Sequence, residues 1–271
     1  MENNLEIIVT LTTIPTRLNN TKYTDGIMSC LNSLLDQSYE NYKIHFNVPH
    51  VFKQTGEEYI IPQDILNLQS EKFKIFRTED WGAGTKSIPT IKRITNPKAI
   101  IIVVDDDLVY NRDLVKEQII NQEKWPECIV GYDGLRSKEN FFGDIRDHYF
   151  TSNYKTSRVD ILQHYKSVSY KRRFFDEDFF DFVNENFSWA DDLLFAGYFS
   201  FKKRDRLATF HKSDIEFKTL EDWRDGGGVT TFPVLRHTQH NSIEGCNILR
   251  ENKADDNGSN LYKFIDHGYD I

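Results

Sequence analysis

Residues 100–104 read Ile-Ile-Ile-Val-Val and pass without a break into Asp105-Asp106-Asp107. A β-branched run with no polar alternation is a strand buried on both faces, which requires a sheet covered by helices on either side. The three carboxylates then stand at the strand's carboxyl end, the edge at which open α/β sheets form their ligand crevice. Adjacent like charges raise one another's pKa unless a cation neutralises them. Asp105 and Asp107 flank a single residue where the chain leaves the strand, so both can address one hard-oxygen site of the kind that holds Mg²⁺ or Mn²⁺. The plain alternative is an acidic turn that merely closes a core strand.

The rest of the chain supplies the helices such a strand needs. An apolar run over residues 5–11 predicts a first core strand that opens into the polar loop Thr12-Thr13-Ile14-Pro15-Thr16-Arg17. Ile27, Met28, Leu31, Leu34 and Leu35 recur at helical spacing and predict an amphipathic helix over 24–37. A strand over 43–48, stopped by Pro49, is followed by a short helix at 63–68 and a strand at 73–76. Residues 81–85 (Trp-Gly-Ala-Gly-Thr) read as a flexible loop and 86–94 as a helix. This alternation predicts a Rossmann-like, doubly wound α/β sheet with helices on both faces. Beyond residue 107 the pattern loosens into a helix at 111–122, a strand at 128–132, an acidic and aromatic stretch at 174–187, a helix at 191–201 and a strand at 207–210. Asp191 and Asp192 open the 191–201 helix, where its dipole favours negative charge.

The formal net charge is −8, with 42 acidic against 34 basic residues, and this argues against non-specific binding to a nucleic-acid backbone. Three cysteines without paired spacing suggest neither a disulfide framework nor a zinc site, and a reducing compartment is the simpler expectation. No leader and no window of eighteen apolar residues is found, so the expectation is a soluble, cytoplasmic protein without a membrane span. The basic triplets at 171–173 and 202–204 read as solvated faces.

Taken together, the strand-ending Asp105-Asp106-Asp107, the Thr12 to Arg17 loop, the Trp81 to Lys86 segment and the Asp191-Asp192 pair resemble glycosyltransferases of the GT-A fold. The resemblance spans residues 5 to about 200 and is closest to small soluble enzymes of bacteria and large DNA viruses. It implies a single domain over 1–271, with 1–107 holding a nucleotide-sugar donor and 108–271 an acceptor. The implied reaction moves a sugar from a nucleotide donor, a UDP-sugar by family expectation, to a hydroxyl of a glycan or glycoconjugate. Asp107 would ligate Mn²⁺ or Mg²⁺; Asp105 would contact the donor or share the metal, and Asp106 would lie on the donor side. His237 and His240 are candidate further ligands. Thr12, Ile14, Pro15 and Arg17 would line the nucleotide; the guanidinium of Arg17 also suits a diphosphate, and its plain alternative is a surface arginine. Lys86, just after two glycines, would meet the donor sugar or phosphate.

The acceptor hydroxyl is a poor nucleophile, so inversion requires a carboxylate base, for which the resemblance offers Asp192 ahead of Asp191. Trp189, Tyr198 and Trp223 would wall the acceptor, with core packing as the alternative for each, and the glycines at 226–228 would form a mobile segment closing over the donor. Two rival readings stand beside this one. One is a haloacid-dehalogenase-type phosphatase with Asp105 as nucleophile, although about a hundred residues of strand and helix would then precede its active strand. The other is a carbohydrate-binding protein without turnover.

Overall fold

The structure, a computed structural model, describes residues 5–19, 21–136, 147–150, 156–185, 191–209 and 218–219. β1 (Ile7–Leu11) leads through α1 (Pro15–Asn19) and α2 (Thr21–Leu35) to β2 (Lys43–Pro49). α3 (Gln63–Leu66) precedes β3 (Phe73–Thr78), and a 3₁₀ turn over Gly82–Lys86 followed by α4 (Ile88–Arg93) leads to β4 (Ile100–Val103). Next come β5 (Leu108–Val109), α5 (Leu114–Lys124), β6 (Ile129–Gly131), β7 (Asp133–Arg136), β8 (Asp147–Phe150), β9 (Ser157–Arg158), β10 (Ile161–Leu162) and β11 (Val168–Lys171). α6 (Asp178–Glu185), α7 (Asp191–Phe201), β12 (Arg206–Ala208) and β13 (Lys218–Thr219) complete the described elements.

Eight strands form one mixed sheet in the order β3-β2-β1-β4-β11-β6-β12-β9. β3, β2, β1 and β4 are parallel; β11 runs antiparallel between β4 and β6, and β12 returns parallel to β6. The chain winds outward from β1 to β3 and then crosses back to place β4 on the other side of β1. The β1/β4 boundary is therefore a topological switch point, where strand tips diverge and leave a crevice. Two-residue periodicity sorts the central strands between two cores. Ile7, Val9, Leu11, Ile44, Phe46, Ile100, Ile102 and Val104 pack under Ile27, Leu31 and Leu34 of α2 and Leu114, Val115 and Ile119 of α5. Ile8, Ile101 and Val103 pack on the opposite face with Ile88 and Ile91 of α4 and with the aromatic residues of α6 and α7. The doubly wound α/β architecture read from the sequence is the observed one.

Local details differ. Pro15–Asn19 is helical where the composition predicts a loop, with Pro15 in the first-turn position its fixed φ favours. Gly82–Lys86 is an ordered 3₁₀ turn instead of a flexible loop. It is tied down by Asp80, which is 4% exposed and accepts from the Gly82 N–H at 2.8 Å, while Gly82 takes the positive φ of 56° that glycine allows. Lys86 accordingly ends this turn, and the following helix begins at Ile88.

Beneath the turn the second sheet face carries an unexpected polar stripe of Thr10, His45 and Asn47, all buried. Thr10 donates to the Lys86 carbonyl at 2.5 Å, and Asn47 Nδ2 reaches Thr90 at 2.9 Å and the Lys86 carbonyl at 3.3 Å. Arg93 lies 3.5 Å over the Phe76 ring centroid and donates to Asn47 Oδ1 and His45 Nδ1, each at 3.1 Å. These groups fix the backbone that carries Lys86 into the switch-point crevice.

His45 accepts from a guanidinium and is buried, so burial first and Arg93 second push its pKa down to about 3. A histidine depressed below its unfolded value of about 6.5 supports the fold fully above that value and withdraws support as pH falls toward the folded pKa. At pH 5 the withdrawn part is about 2 kcal/mol. His45→Gln keeps an acceptor for Arg93 and removes the titration. Its stability gap between pH 7.5 and pH 5, measured by thermal melts, is expected to be smaller than the parent's by about that amount; an unchanged gap would refute the assignment.

Candidate active site

At the tip of β4 the three aspartates take three different positions. Asp106 turns inward, 4% exposed, and accepts from Thr13 Oγ1 at 2.5 Å and from the Arg17 guanidinium. Arg17, on α1 and 9% exposed, reaches on to Asp107 at 3.3 Å. Burial opposes its charge, but Asp106, Asp107 and Asp105 together outweigh that and raise its pKa. This corrects the alternative of a surface arginine: Arg17 is a buried tie between α1 and the acidic tip. Asp105 and Asp107 stay partly open. Tyr110 pins the turn, its hydroxyl accepting from the Asp105 N–H at 2.9 Å and lying 3.0 Å from the Asp105 carbonyl.

Asp107 is the unsettled member. Burial pushes its pKa up to about 6 against the opposing pull of Arg17, and Asp105 and Asp106 push the same way. A carboxylate at a crevice rim that is short of positive charge is what a hard divalent cation would complete, with Asp105 as its neighbour.

Lys86 joins this cluster to a second one. Its ammonium, buried at 5% residue exposure, lies 2.7 Å from Asp105 Oδ1 and 3.0 Å from Asp191 Oδ2. Burial works against the charge, yet Asp105, Asp191 and Asp192 hold the pKa well above the usual lysine range. The strand-tip acids and the acids opening α7 thus share one site, with Lys86 spanning them. Asp191 is 5% exposed, whereas the side chain of Asp192 is one-third exposed. His164 stands behind the pair: its backbone N–H and its ring Nδ1 meet Asp192 Oδ1 at 3.0 and 2.6 Å, and Nδ1 lies 3.6 Å from Asp191 Oδ2. Donor atoms of His164, Asp191 and Asp192 lie within 4.8 Å of one another. There the Lys86 ammonium and the Nδ1–H already supply the positive character that two carboxylates need.

Of the residues singled out in the sequence, Arg17, Lys86, Asp105, Asp106, Asp107, Asp191 and Asp192 converge on this crevice. Thr12 and Ile14 lie on the segment leaving β1 and Pro15 opens α1; Thr12 donates to the Asn47 carbonyl at 2.7 Å. Tyr198 is elsewhere. It is fully buried among Phe175, Phe179 and Phe182, with its hydroxyl 2.9 Å from Asp176, so the structure replaces its reading as an acceptor wall with that of a core residue. Trp189, Trp223, His237, His240 and the glycines at 226–228 lie outside the described residues. Tyr110 and His164 are site residues that no motif announced, and Thr13, although part of the Thr12 to Arg17 loop, carries no assigned role there; the partners of Thr13 and His164 are remote in sequence, while Tyr110 holds Asp105 five residues before it.

No family model matches the chain, and no curated protein matches it. Among solved structures, S. aureus TarS residues 1–349 aligns at 14% identity and a TM-score of 0.42, over 72% of this chain and 54% of that one. The same TarS fragment in complex with UDP aligns at 15% identity and a TM-score of 0.45, and in complex with UDP-GlcNAc at 15% and 0.44. Each covers 72% of this chain, which spans about half the length of these TarS structures. No helix among the described residues is long and apolar enough to cross a membrane.

Proposed function

We propose that this chain is a metal-dependent glycosyltransferase that moves a sugar from a nucleotide donor, a UDP-sugar, to a hydroxyl of a glycan or glycoconjugate with inversion. The observation that carries the reading is the Lys86 bridge, which ties a strand-tip acid at the switch point, Asp105, to Asp191 of the pair opening α7. Two acidic clusters with different tasks then stand on either side of one crevice. Asp107, with Asp105 beside it, would hold Mn²⁺ or Mg²⁺. When bound, such a cation neutralises the charge that grows on a departing diphosphate. Across the crevice, Asp192 takes the proton of the acceptor hydroxyl: the O–H bond breaks, a bond to Asp192 Oδ2 forms, and the acceptor oxygen attacks the anomeric carbon as the bond to the diphosphate breaks. Asp191 is engaged by the Lys86 ammonium at 3.0 Å and nearly closed to solvent, which leaves Asp192 as the acid open to the acceptor.

The test screens nucleotide sugars for thermal stabilisation with and without Mn²⁺ and then for turnover. Stabilisation by a UDP-sugar that needs Mn²⁺, followed by sugar transfer or slow donor hydrolysis, is the expected result. Hydrolysis of generic phosphate esters through a phosphoenzyme would overturn the proposal in favour of the phosphatase reading.

Asp107→Asn carries a sharper expectation. The substitution should remove the Mn²⁺-dependent part of the thermal shift while leaving the metal-free protein folded. In the parent the same shift should fade as pH falls below about 6, because the proton on Asp107 competes with the cation. The sign for the metal-free fold is opposite. A carboxylate whose folded pKa is raised costs stability as pH climbs from its unfolded value through about 6, so metal-free Asp107→Asn should melt above the parent at pH 7.5 and level with it near pH 4. A Mn²⁺ shift of parental size in the variant would remove Asp107 from the metal site.

A further inference from the structure

His164 was not among the residues the sequence singled out, yet its contacts with the proposed base are specific. Both of its donors, the backbone N–H and the ring Nδ1–H, converge on one oxygen, Asp192 Oδ1, at 3.0 and 2.6 Å. Among the described residues Asp192 Oδ2 receives no hydrogen bond, and the side chain is one-third exposed. The histidine itself is 2% exposed, its ring held between Phe195 at 5.2 Å and Tyr170 at 6.3 Å between centroids. Nε2 is buried and meets no hydrogen-bond partner among the described residues. A proton there would be an unsatisfied buried donor, whereas Nδ1 faces a carboxylate that requires one. These partners place a ring hydrogen on Nδ1, directed at Asp192.

We propose that His164 is a positioning residue that makes Asp192, rather than Asp191, the base by locking Oδ1 and presenting Oδ2 to the acceptor. This assignment rests on the transferase reading above and deepens it. Two donors on one oxygen fix the carboxylate plane without occupying the oxygen that accepts the proton. The histidine keeps its own proton throughout, because a proton arriving on Oδ2 leaves the Nδ1–H to Oδ1 bond intact. Asp191 is excluded by its surroundings: Oδ2 lies 3.0 Å from the Lys86 ammonium and 3.6 Å from Nδ1, in a nearly closed position. Misplacing a reacting group by about 1 Å costs on the order of a hundredfold in rate, and a missing Nδ1–H would permit a displacement of that kind.

The experiment compares His164→Phe with His164→Asn, using the UDP-sugar and Mn²⁺ conditions that give turnover in the parent. Phenylalanine keeps the ring packed against Phe195 and Tyr170 but has no donor. Asparagine loses the ring and can place an amide N–H where Nδ1–H stood. A positioning role predicts that His164→Phe loses at least about tenfold in kcat, with donor KM within about twofold and an unchanged Mn²⁺-dependent thermal shift, and that His164→Asn recovers most of the rate. A packing role predicts the reverse order, active phenylalanine and impaired asparagine, and would overturn the proposal. So would loss of the Mn²⁺ shift in His164→Phe, which would mark the imidazole as a metal ligand. If the parent turns over no nucleotide sugar, the transferase reading falls and this assignment with it. If the parent is active and His164→Phe equals it, only the assignment falls.

Discussion

Asp192→Asn is expected to bind a nucleotide sugar as the parent does and to transfer it about a thousandfold more slowly. The size follows from the role, since a positioned carboxylate that takes a proton in the transition state is worth roughly 10² to 10⁴ in rate. The substitution is nearly isosteric. An amide oxygen can still accept from the His164 backbone N–H and Nδ1–H, so α7 and the loop carrying His164 keep their arrangement. What is lost is the basicity of the exposed oxygen. The comparison with Asp191→Asn makes the claim specific. Asp191 is almost closed to solvent and faces Lys86, so neutralising it leaves the buried ammonium with Asp105 as its principal partner while the proton acceptor remains. That variant should lose stability and retain most of its rate, the opposite of Asp192→Asn. Thermal shifts with the donor and initial rates of nucleotide release, taken on both variants, separate the two acids. Parental rates in Asp192→Asn would end its assignment as base.

The parts of this site legible in the sequence are those that one short segment can encode. The run from Ile100 to Asp107 declares a buried strand and an acidic tip because burial, branching and charge are contiguous, and helical spacing from Ile27 to Leu35 declares the cover over one face. The order in which the three carboxylates are used is not contiguous information. Asp106 is the buried one because Thr13 and Arg17 reach it from the segment after β1, and nothing within the triplet distinguishes it from its neighbours. Lys86 was legible as a cation near glycines, but its partners Asp105 and Asp191 come together only once the sheet has formed.

The second half of the fold was harder for a related reason. β9 and β10 are two residues each, too short for any periodicity, and β11 contains Ser169, whose hydroxyl is satisfied by Gln118 of α5 at 2.8 Å. Insertion of β11 between β4 and β6 is a long-range register choice, made by backbone pairing from Val168 opposite Val103 to Lys171 opposite Ile100, and local composition does not express it. The polar stripe of Thr10, His45 and Asn47 has no local signature, because each lies in an otherwise apolar strand. All three are buried under the turn that carries Lys86: Asn47 donates to Thr10 at 3.1 Å, and His45 is tied to Asn47 through Arg93.

Arg17→Met should be the most damaging single change to the fold at this site, lowering stability by about 3 to 5 kcal/mol, or on the order of 10 °C in melting temperature for a chain of this size. The cost comes from what is left behind rather than from the arginine's own contacts. Asp106 sits with a side-chain exposure of 6%, and without the guanidinium its charge retains a hydrogen bond from Thr13 and faces Asp105 and Asp107. A buried carboxylate so placed either remains charged at high cost or takes up a proton at neutral pH, and both routes weaken the folded state. Removing the charge together with its partner should therefore restore much of what the single change removes: Arg17→Met with Asp106→Asn is expected to recover at least half of the loss, which a double-mutant cycle from urea melts would measure. An arginine that served only to contact a diphosphate would behave otherwise, giving a parental melt without donor and a deficit only when donor is added. A melt of Arg17→Met within about 2 °C of the parent would return Arg17 to that purely ligand-binding role and would leave the inward turn of Asp106 unexplained.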